Sequence, residues 1–148
     1  MSTQLTLQIT NQAEAIGPTT EATTCWLEQH GATPSMVYLA SLTIEELVTN
    51  CIKYAYDDAG EHPIGIELEM ADGAMRLSVS DDGRPFNPLT LTPPDLSLPA
   101  EERPVGGLGI YMLREHSDRM DYRRSGATNH VTVWKHPAPP SLTPTPIS

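Results

Sequence analysis

The sequence predicts an α+β fold, a two-layer α/β sandwich in which a mostly antiparallel, mixed sheet is covered by helices on one face. The first observation is the order of the candidate elements: strand, two helices, two strands, a long loop, helix and two strands, with no internal repeat. The second is a pair of short turns, Asp72-Gly73 and Ser125-Gly126, each between two strand-like segments. Such turns predict antiparallel hairpins.

Length and composition predict one domain with a short tail. The 148 residues are 39% hydrophobic and 19% charged, which is typical of a globular protein. We expect the domain to cover residues 1–136, whereas the Pro-, Ser- and Thr-rich segment 137–148 predicts a disordered tail. No apolar run approaches the roughly 20 residues of a membrane span, and the amino terminus does not resemble a signal peptide. A cytoplasmic protein without a membrane partner is therefore expected.

The charge and the cysteines exclude some classes of partner. Nine Lys and Arg against 19 Asp and Glu give a formal charge of -10, which repels an extended phosphate backbone. Nucleic acid is therefore not an expected partner, although a helix N-terminus and a cation can still hold one nucleotide. Cys25 and Cys51 show no Cys-x-x-Cys spacing and are expected to be buried, reduced thiols.

The first half of the chain predicts one strand and two helices. Alternating residues predict a half-buried strand over Gln4–Thr10. Pro18 predicts the start of a helix over Thr19–His30, which Gly31 ends. A second start signal at Thr33-Pro34-Ser35 predicts a longer helix that runs to about Tyr56.

The second half predicts two hairpins around one short helix. The first hairpin pairs Ile64–Met70 with Met75–Ser80, and the second pairs Met120–Arg124 with His130–Lys135. A short helix over Ile110–Ser117 precedes the second hairpin. Between the hairpins, residues 81–107 hold six of the 14 prolines, which forbid regular structure. We expect a long functional loop, a lid, at about residues 84–105.

The longer helix carries the first candidate site. Over Leu42–Tyr56, one side is apolar and predicts contact with the core. Glu46, Asn50 and Lys53, spaced i, i+4 and i+7, fall within roughly 60° of one another on the opposite side. This row is either an ordinary solvated face or a set of functional groups, namely a carboxylate, an amide and an ammonium.

Two glycine motifs follow in the chain. Asp81-Asp82-Gly83 stands at the end of a predicted strand, where it is also a common turn sequence. Gly106-Gly107-Leu108-Gly109 opens the short helix, either as a tight turn or as an anion site. Each motif is weak alone, but their order together with the polar row and the long loop between them is distinctive.

These three motifs resemble those of the GHKL nucleotide-binding family, which includes histidine kinases, heat-shock chaperone ATPases and anti-sigma serine kinases. Glu46 to Asn50 resembles the N box of the family, Ser80 to Pro88 its first glycine box, and Gly106 to Ile110 its second. The run from Leu113 to Tyr122 adds a likeness to the anti-sigma factor serine/threonine kinases. The resemblance covers residues 4–136 and implies the Bergerat ATP-binding fold.

The resemblance implies roles on the helix. Asn50 corresponds to the Mg²⁺ ligand of the family, and its amide oxygen is a suitable donor. Glu46, one turn earlier, is then placed to act as the general base. Lys53 either meets phosphate or serves the helix dipole. Glu45 is adjacent, but only Glu46 shares the face of Asn50.

The resemblance also implies roles for the glycine motifs. Asp81 corresponds to the reader of the adenine amino group, and Gly83 would let the backbone approach the base. Gly106, Gly107, Leu108 and Gly109 would contribute backbone amides to the phosphates. The sequence departs from the family at Pro85, where many members have glycine, and this stiffens the start of the lid.

The function that the resemblance implies is an ATP- and Mg²⁺-dependent serine/threonine kinase of the anti-sigma type, which phosphorylates a small antagonist protein. Binding of a sigma factor and a homodimeric state are open expectations. Two alternatives remain: a nucleotide-responsive binding module that transfers nothing, and a catalytic domain that works only with a separate phosphoacceptor protein. The retained Glu46 favours catalysis, since a binding module needs no base there.

Overall fold

A computed structural model describes residues 2–91, 97–99, 101 and 107–137. Its five strands form one sheet in the order β1-β2-β3-β5-β4, with every pairing antiparallel. The strands are β1 Ser2–Thr10, β2 Pro63–Ala71, β3 Ala74–Asp81, β4 Arg119–Ser125 and β5 Thr128–Lys135. Each begins or ends one or two residues beyond its predicted limits. The predicted fold class, with its antiparallel sheet, is confirmed.

The described residues form three α-helices. They are α1 Ile16–Gln29, α2 Pro34–Asn50 and α3 Gly107–His116. Gly31, at φ 79°, follows the end of α1 as predicted, and the Ala32 amide donates to the Leu27 carbonyl at 3.0 Å. The helix α3 begins inside the second glycine motif, before the predicted Ile110. The sequence did not predict this earlier start because glycines carry no apolar periodicity.

The helix α2 changes its geometry near its end. Thr33 caps its start, where the hydroxyl accepts from the Met36 amide at 3.2 Å. After Asn50 the chain continues as a π-helical segment, Cys51–Ala55. The sequence predicts one continuous helix to Tyr56, since five residues are too few to distinguish a π from an α period. Such segments are frequent at functional sites.

The core lies between α2 and one face of the sheet. Inward strand positions alternate with outward polar ones, as in β2, where Ile66 and Leu68 are buried and Glu67 is exposed. They pack with buried α2 residues such as Ile44 and Val48. The helices therefore cover one face, and the site described below lies at the end of α2.

The turn of the first hairpin has the predicted geometry. Asp72 and Gly73 have φ of 52° and 79°, as a type I′ turn requires.

One of the two cysteines is not where the sequence predicts it. Cys51 is buried, but Cys25 lies on the outer side of α1 and is exposed, so the predicted burial of Cys25 is wrong. Among the described helices, none has the length and apolarity to cross a membrane.

The lid and the tail remain predictions for the most part. Of the predicted lid, the described part includes a short 3-10 helix, Pro88–Thr90, whose preceding Asn87 side chain accepts from the Leu89 amide at 2.9 Å. Residues 92–96, 100 and 102–106 of the loop, and residues 138–148 of the tail, lie outside the described residues.

Candidate functional site

Two adjoining cavities lie along the end of α2 and the π-helical segment, one facing β3 and β5 and the other facing α3, and they share Asn50 and Tyr54. We call the first the apolar cleft, an open space of about 540 Å³ including solvent. Its lining residues are Leu47, Asn50, Cys51, Tyr54, Ala55, Val79, Asp81, Arg84, Phe86, Pro88, Asn129 and Val131. We call the second the polar pocket. Its lining residues are Glu46, Thr49, Asn50, Lys53, Tyr54, Leu108, Gly109 and Met112.

The apolar cleft is built by side chains from both layers. Val79 and Val131 come from the inward face of the sheet, and Leu47 comes from α2. Phe86, from the start of the predicted lid, closes one side and is 37% exposed. A lining that is mostly aliphatic and aromatic, with few polar groups, suits a flat and weakly polar ring.

Asp81 is the carboxylate of the apolar cleft, and its contacts fix its position. Its Oδ1 accepts from the Gly83 amide at 2.9 Å and from Asn129 Nδ2 at 3.1 Å. Its Oδ2 accepts from the Cys51 thiol at 3.4 Å. The side chain thus stabilises the turn and also lines the cleft, and its role as the reader of an amino group stays a prediction. A bound ring with a donor at its edge would find a positioned acceptor here.

Cys51 takes part as a neutral donor. Burial raises the pKa of the thiol, and the neighbouring Asp81 carboxylate raises it further. The thiol therefore stays protonated at neutral pH and can donate to Asp81.

Asn129 is a site residue that the sequence analysis missed. It is 3% exposed, and its Nδ2 also donates to the Arg84 carbonyl at 2.8 Å. Its Oδ1 accepts from the Tyr122 hydroxyl at 2.6 Å and from Arg124 Nη1 at 3.0 Å. The available signal was the alternation of β5, because Asn129 shares the inward face of Val131 and is the buried polar residue of that face.

Gly83 is not among the lining residues of either cavity, and its approach to a base stays a prediction. A Cβ at this position would lie 2.6 Å from the Ala55 Cβ and 2.7 Å from the Ala55 carbonyl oxygen. The Arg84 amide also donates to that carbonyl at 3.0 Å. Glycine is needed here because the turn after β3 packs against the end of the π-helical segment.

The polar pocket brings together the predicted row on α2 and the start of α3. Glu46, Asn50 and Lys53 line it together with Leu108 and Gly109. The adjacent Glu45 is exposed and is not part of the lining. Gly107 begins α3, while Gly106 lies outside the described residues. The spacing of the row on α2 therefore does produce one shared surface.

Glu46 lies directly against Gly109. A Cβ added at Gly109 would overlap the Glu46 carboxylate, so any larger residue here would displace this side chain from its present position. Partial burial raises the pKa of Glu46, the charge of Glu45 raises it further, and the Lys53 ammonium opposes the shift. A carboxylate with a raised pKa is a stronger base than an exposed glutamate.

The donor groups of the two cavities fit a nucleotide with a hard metal ion. The apolar cleft offers a slot for a ring and Asp81 as an acceptor for its amino group. The polar pocket offers the Lys53 cation beside the first turn of α3, whose amides have no helical partner. The Asn50 amide supplies an oxygen atom of the kind that Mg²⁺ prefers.

The chain is similar to named bacterial kinases. It is 24% identical over 104 residues to the serine/threonine-protein kinase BtrW of Bordetella bronchiseptica, covering 70% of this chain and 73% of the relative. It is 29% identical over 110 residues to the serine-protein kinase RsbW of Staphylococcus aureus, covering 70% of this chain and 69% of the relative. With RsbW of Halalkalibacterium halodurans, the identity is 26% over 98 residues, and the match spans 63% of this chain and 59% of that relative.

The fold is also that of a solved structure, the RsbU and RsbW domains of Rv1364c from Mycobacterium tuberculosis. The TM-score is 0.59 at 19% identity, covering 90% of this chain and about a third, 32%, of the longer chain. The family model described as histidine kinase-like ATPase domain matches residues 9–135. This confirms the resemblance noted from the three motifs, and the chain belongs to the histidine kinase-like ATPase domain family.

Proposed function

We propose that the chain is a cytoplasmic, ATP- and Mg²⁺-dependent serine/threonine protein kinase of the anti-sigma factor type. The observation that carries the proposal is the placement of Glu46, with its raised pKa, against Gly109 in a pocket that adjoins the cleft of Asp81. One cavity thus suits the adenine ring of ATP, and a carboxylate that can accept a proton stands in the other. The kinase names of the relatives support the same activity.

In this proposal, the two cavities bind the two ends of ATP. The adenine ring enters the apolar cleft, where its amino group donates to Asp81. The phosphates lie in the polar pocket near Lys53 and the amides of Gly107, Leu108 and Gly109. Asn50, which lines both cavities, would hold Mg²⁺ through its amide oxygen. When bound, the ion neutralises phosphate charge during transfer.

The catalytic role falls to Glu46. Its carboxylate accepts the proton of a serine or threonine hydroxyl as the hydroxyl oxygen bonds to the terminal phosphorus and the bond to ADP breaks. The raised pKa of Glu46 favours this proton transfer. Lys53 has a second effect, because its charge lowers the pKa of Glu46 and so favours the ionised form.

We propose a small antagonist protein as the phosphate acceptor, with a sigma factor as a second partner and a homodimer as the assembly. The net charge of -10 favours partners with a basic face. These assignments follow the family and await a direct test.

The proposal is tested by phosphoryl transfer. Candidate antagonist proteins of the source organism are incubated with the chain and γ-labelled ATP, and label on serine or threonine is measured. We expect one labelled acceptor with the wild type and none with Glu46→Gln, which keeps the shape of the side chain. ATP binding without transfer to any acceptor would instead favour a nucleotide-responsive binding module.

A further inference from the structure

We propose that Asn129 is a positioning residue that makes the nucleotide site select adenine over bases with a keto group in place of the adenine amino group. The inference rests on the proposed function, because it concerns the nucleotide of that same site. Asn129 acts through Asp81, the acceptor in the apolar cleft, to which its side-chain amide donates.

The orientation of the Asn129 amide is fixed from one side by donors. Its Oδ1 accepts from the Tyr122 hydroxyl at 2.6 Å and from Arg124 Nη1 at 3.0 Å. Arg124 can only donate, so the amide oxygen must face it. The amide nitrogen therefore points away from β4 and toward Asp81.

That nitrogen connects Asp81 to the turn that follows it. Nδ2 donates to Asp81 Oδ1 at 3.1 Å and to the Arg84 carbonyl at 2.8 Å. A guanidinium N–H of Arg124 reaches the Gly83 carbonyl at 2.9 Å. The first glycine motif is thus held to β4 and β5 by side chains, and the direction of the Asp81 carboxylate is set by Asn129.

The remaining acceptor capacity of Asp81 then lies at Oδ2. Both donors from Asn129 and Gly83 meet Oδ1, and in the described part of the chain Oδ2 accepts only from the Cys51 thiol. A carboxylate oxygen can accept more than one hydrogen bond, so Oδ2 can still take an amino group. A keto oxygen at the same place would face this acceptor without a proton between them, and its binding would be weakened.

Burial makes this arrangement sensitive to substitution. Asn129 is 3% exposed, and truncation would leave Tyr122 and the Arg84 carbonyl without this partner. Of the described donors to Oδ1 of Asp81, the Gly83 amide alone would remain. Its carboxylate could then rotate, and the distinction between an amino and a keto group would be reduced.

The test compares two nucleotides that differ at this group. Dissociation constants of ATP and inosine triphosphate are measured by calorimetry for the wild type and for Asn129→Ala. We expect the wild type to prefer ATP and the ratio of the two constants to fall about tenfold in the variant. A merely structural role would weaken both nucleotides equally and leave the ratio unchanged, which would overturn the inference.

Controls separate this result from unfolding and from failure of the proposed function. Thr132 is on β5 like Asn129 but is not in the lining of the cleft, and Thr132→Val removes its hydrogen bond to Ser78 of β3. This control variant should leave the ratio unchanged. If Asn129→Ala does not fold, Tyr122→Phe decides: a ratio lowered about threefold supports the inference, and an unchanged ratio overturns it. Absence of ATP binding by the wild type would refute the proposed function itself, whereas an unaltered ratio with intact ATP binding refutes only the inference.

Discussion

The apolar cleft and the polar pocket share one helix but are organised differently. In the cleft, Asp81 accepts three hydrogen bonds from the protein. In the polar pocket, the side chains of Glu46, Asn50 and Lys53 make no hydrogen bond with other residues that the structure describes. In the proposed site, the acceptor for the base is therefore fixed before binding, which would lower the cost of ordering on binding. Within the described ranges, the polar groups of this pocket are thus not committed to other side chains.

The largest effect is expected from a substitution in the polar pocket that leaves the apolar cleft unchanged. Glu46→Gln should slow phosphoryl transfer by about 10²- to 10⁴-fold, because the amide cannot accept the hydroxyl proton. ATP affinity should change by less than about threefold, since the adenine contacts remain. Initial transfer rates and calorimetry check the two expectations. Glu45→Gln is the matched control, and equal loss of rate in both variants would contradict the assignment of Glu46.

The next largest effect is expected from a substitution in the apolar cleft, and it concerns ATP affinity. Asp81→Asn should weaken ATP binding by about 10- to 100-fold, because a charged acceptor of the adenine amino group is replaced by an amide. The control is Asp82→Asn, whose carboxylate instead accepts from the Tyr56 hydroxyl at 2.6 Å. Calorimetric titration of both variants measures the difference. Equal affinities of the two variants would show that Asp81 does not read the base.

A third variant acts on the junction between the two regions. Gly83→Ala places a Cβ 2.6 Å from the Ala55 Cβ and should destabilise the fold by about 1–3 kcal/mol. Gly17→Ala is the control, since an added Cβ there meets nothing within 4 Å and alanine favours the helix. Thermal unfolding followed by circular dichroism checks both. Unchanged stability of the Gly83 variant would mean that the turn and the π-helical segment are not packed as described.

The smallest effect concerns pH. A base must be ionised, so transfer is lost as the pH falls through the pKa of Glu46. Because burial and Glu45 raise this pKa above the ordinary 4.5, the loss should begin at a higher pH than for an exposed glutamate. Lys53→Met removes the opposing charge and should move the acid limb of the rate profile further upward. A limb that moves downward, or not at all, would exclude an electrostatic effect of Lys53 on the base.

The two regions also differ in how far the sequence could reveal them. Helical spacing alone placed Glu46, Asn50 and Lys53 on one surface, since a helix converts spacing directly into proximity. The hydrogen bonds of Asn129 with Asp81 and Arg84 could not be predicted in this way, because they join residues more than 40 positions apart. The inward position of Asn129 could have been read from the alternation of β5, but its partners depend on the strand order.

The glycines show the same limit. Gly31 and Gly73 occupy the positive φ that their turns predicted. The need for glycine at position 83 has another cause, the close approach of Ala55, and the Glu46 carboxylate likewise lies close against Gly109. These are tertiary contacts, which a local motif indicates only through resemblance to a family. The π-helical geometry of Cys51–Ala55 was likewise beyond the periodicity of the sequence.

The central claim is that the two cavities together form one ATP site, and calorimetric titration with ATP in the presence and absence of Mg²⁺ tests it most directly. The account predicts saturable binding at one site per chain that becomes tighter with Mg²⁺, and loss of the Mg²⁺-dependent gain in Asn50→Ala. Absence of saturable binding under both conditions would contradict it, and the chain would then have to be studied as a protein interaction module.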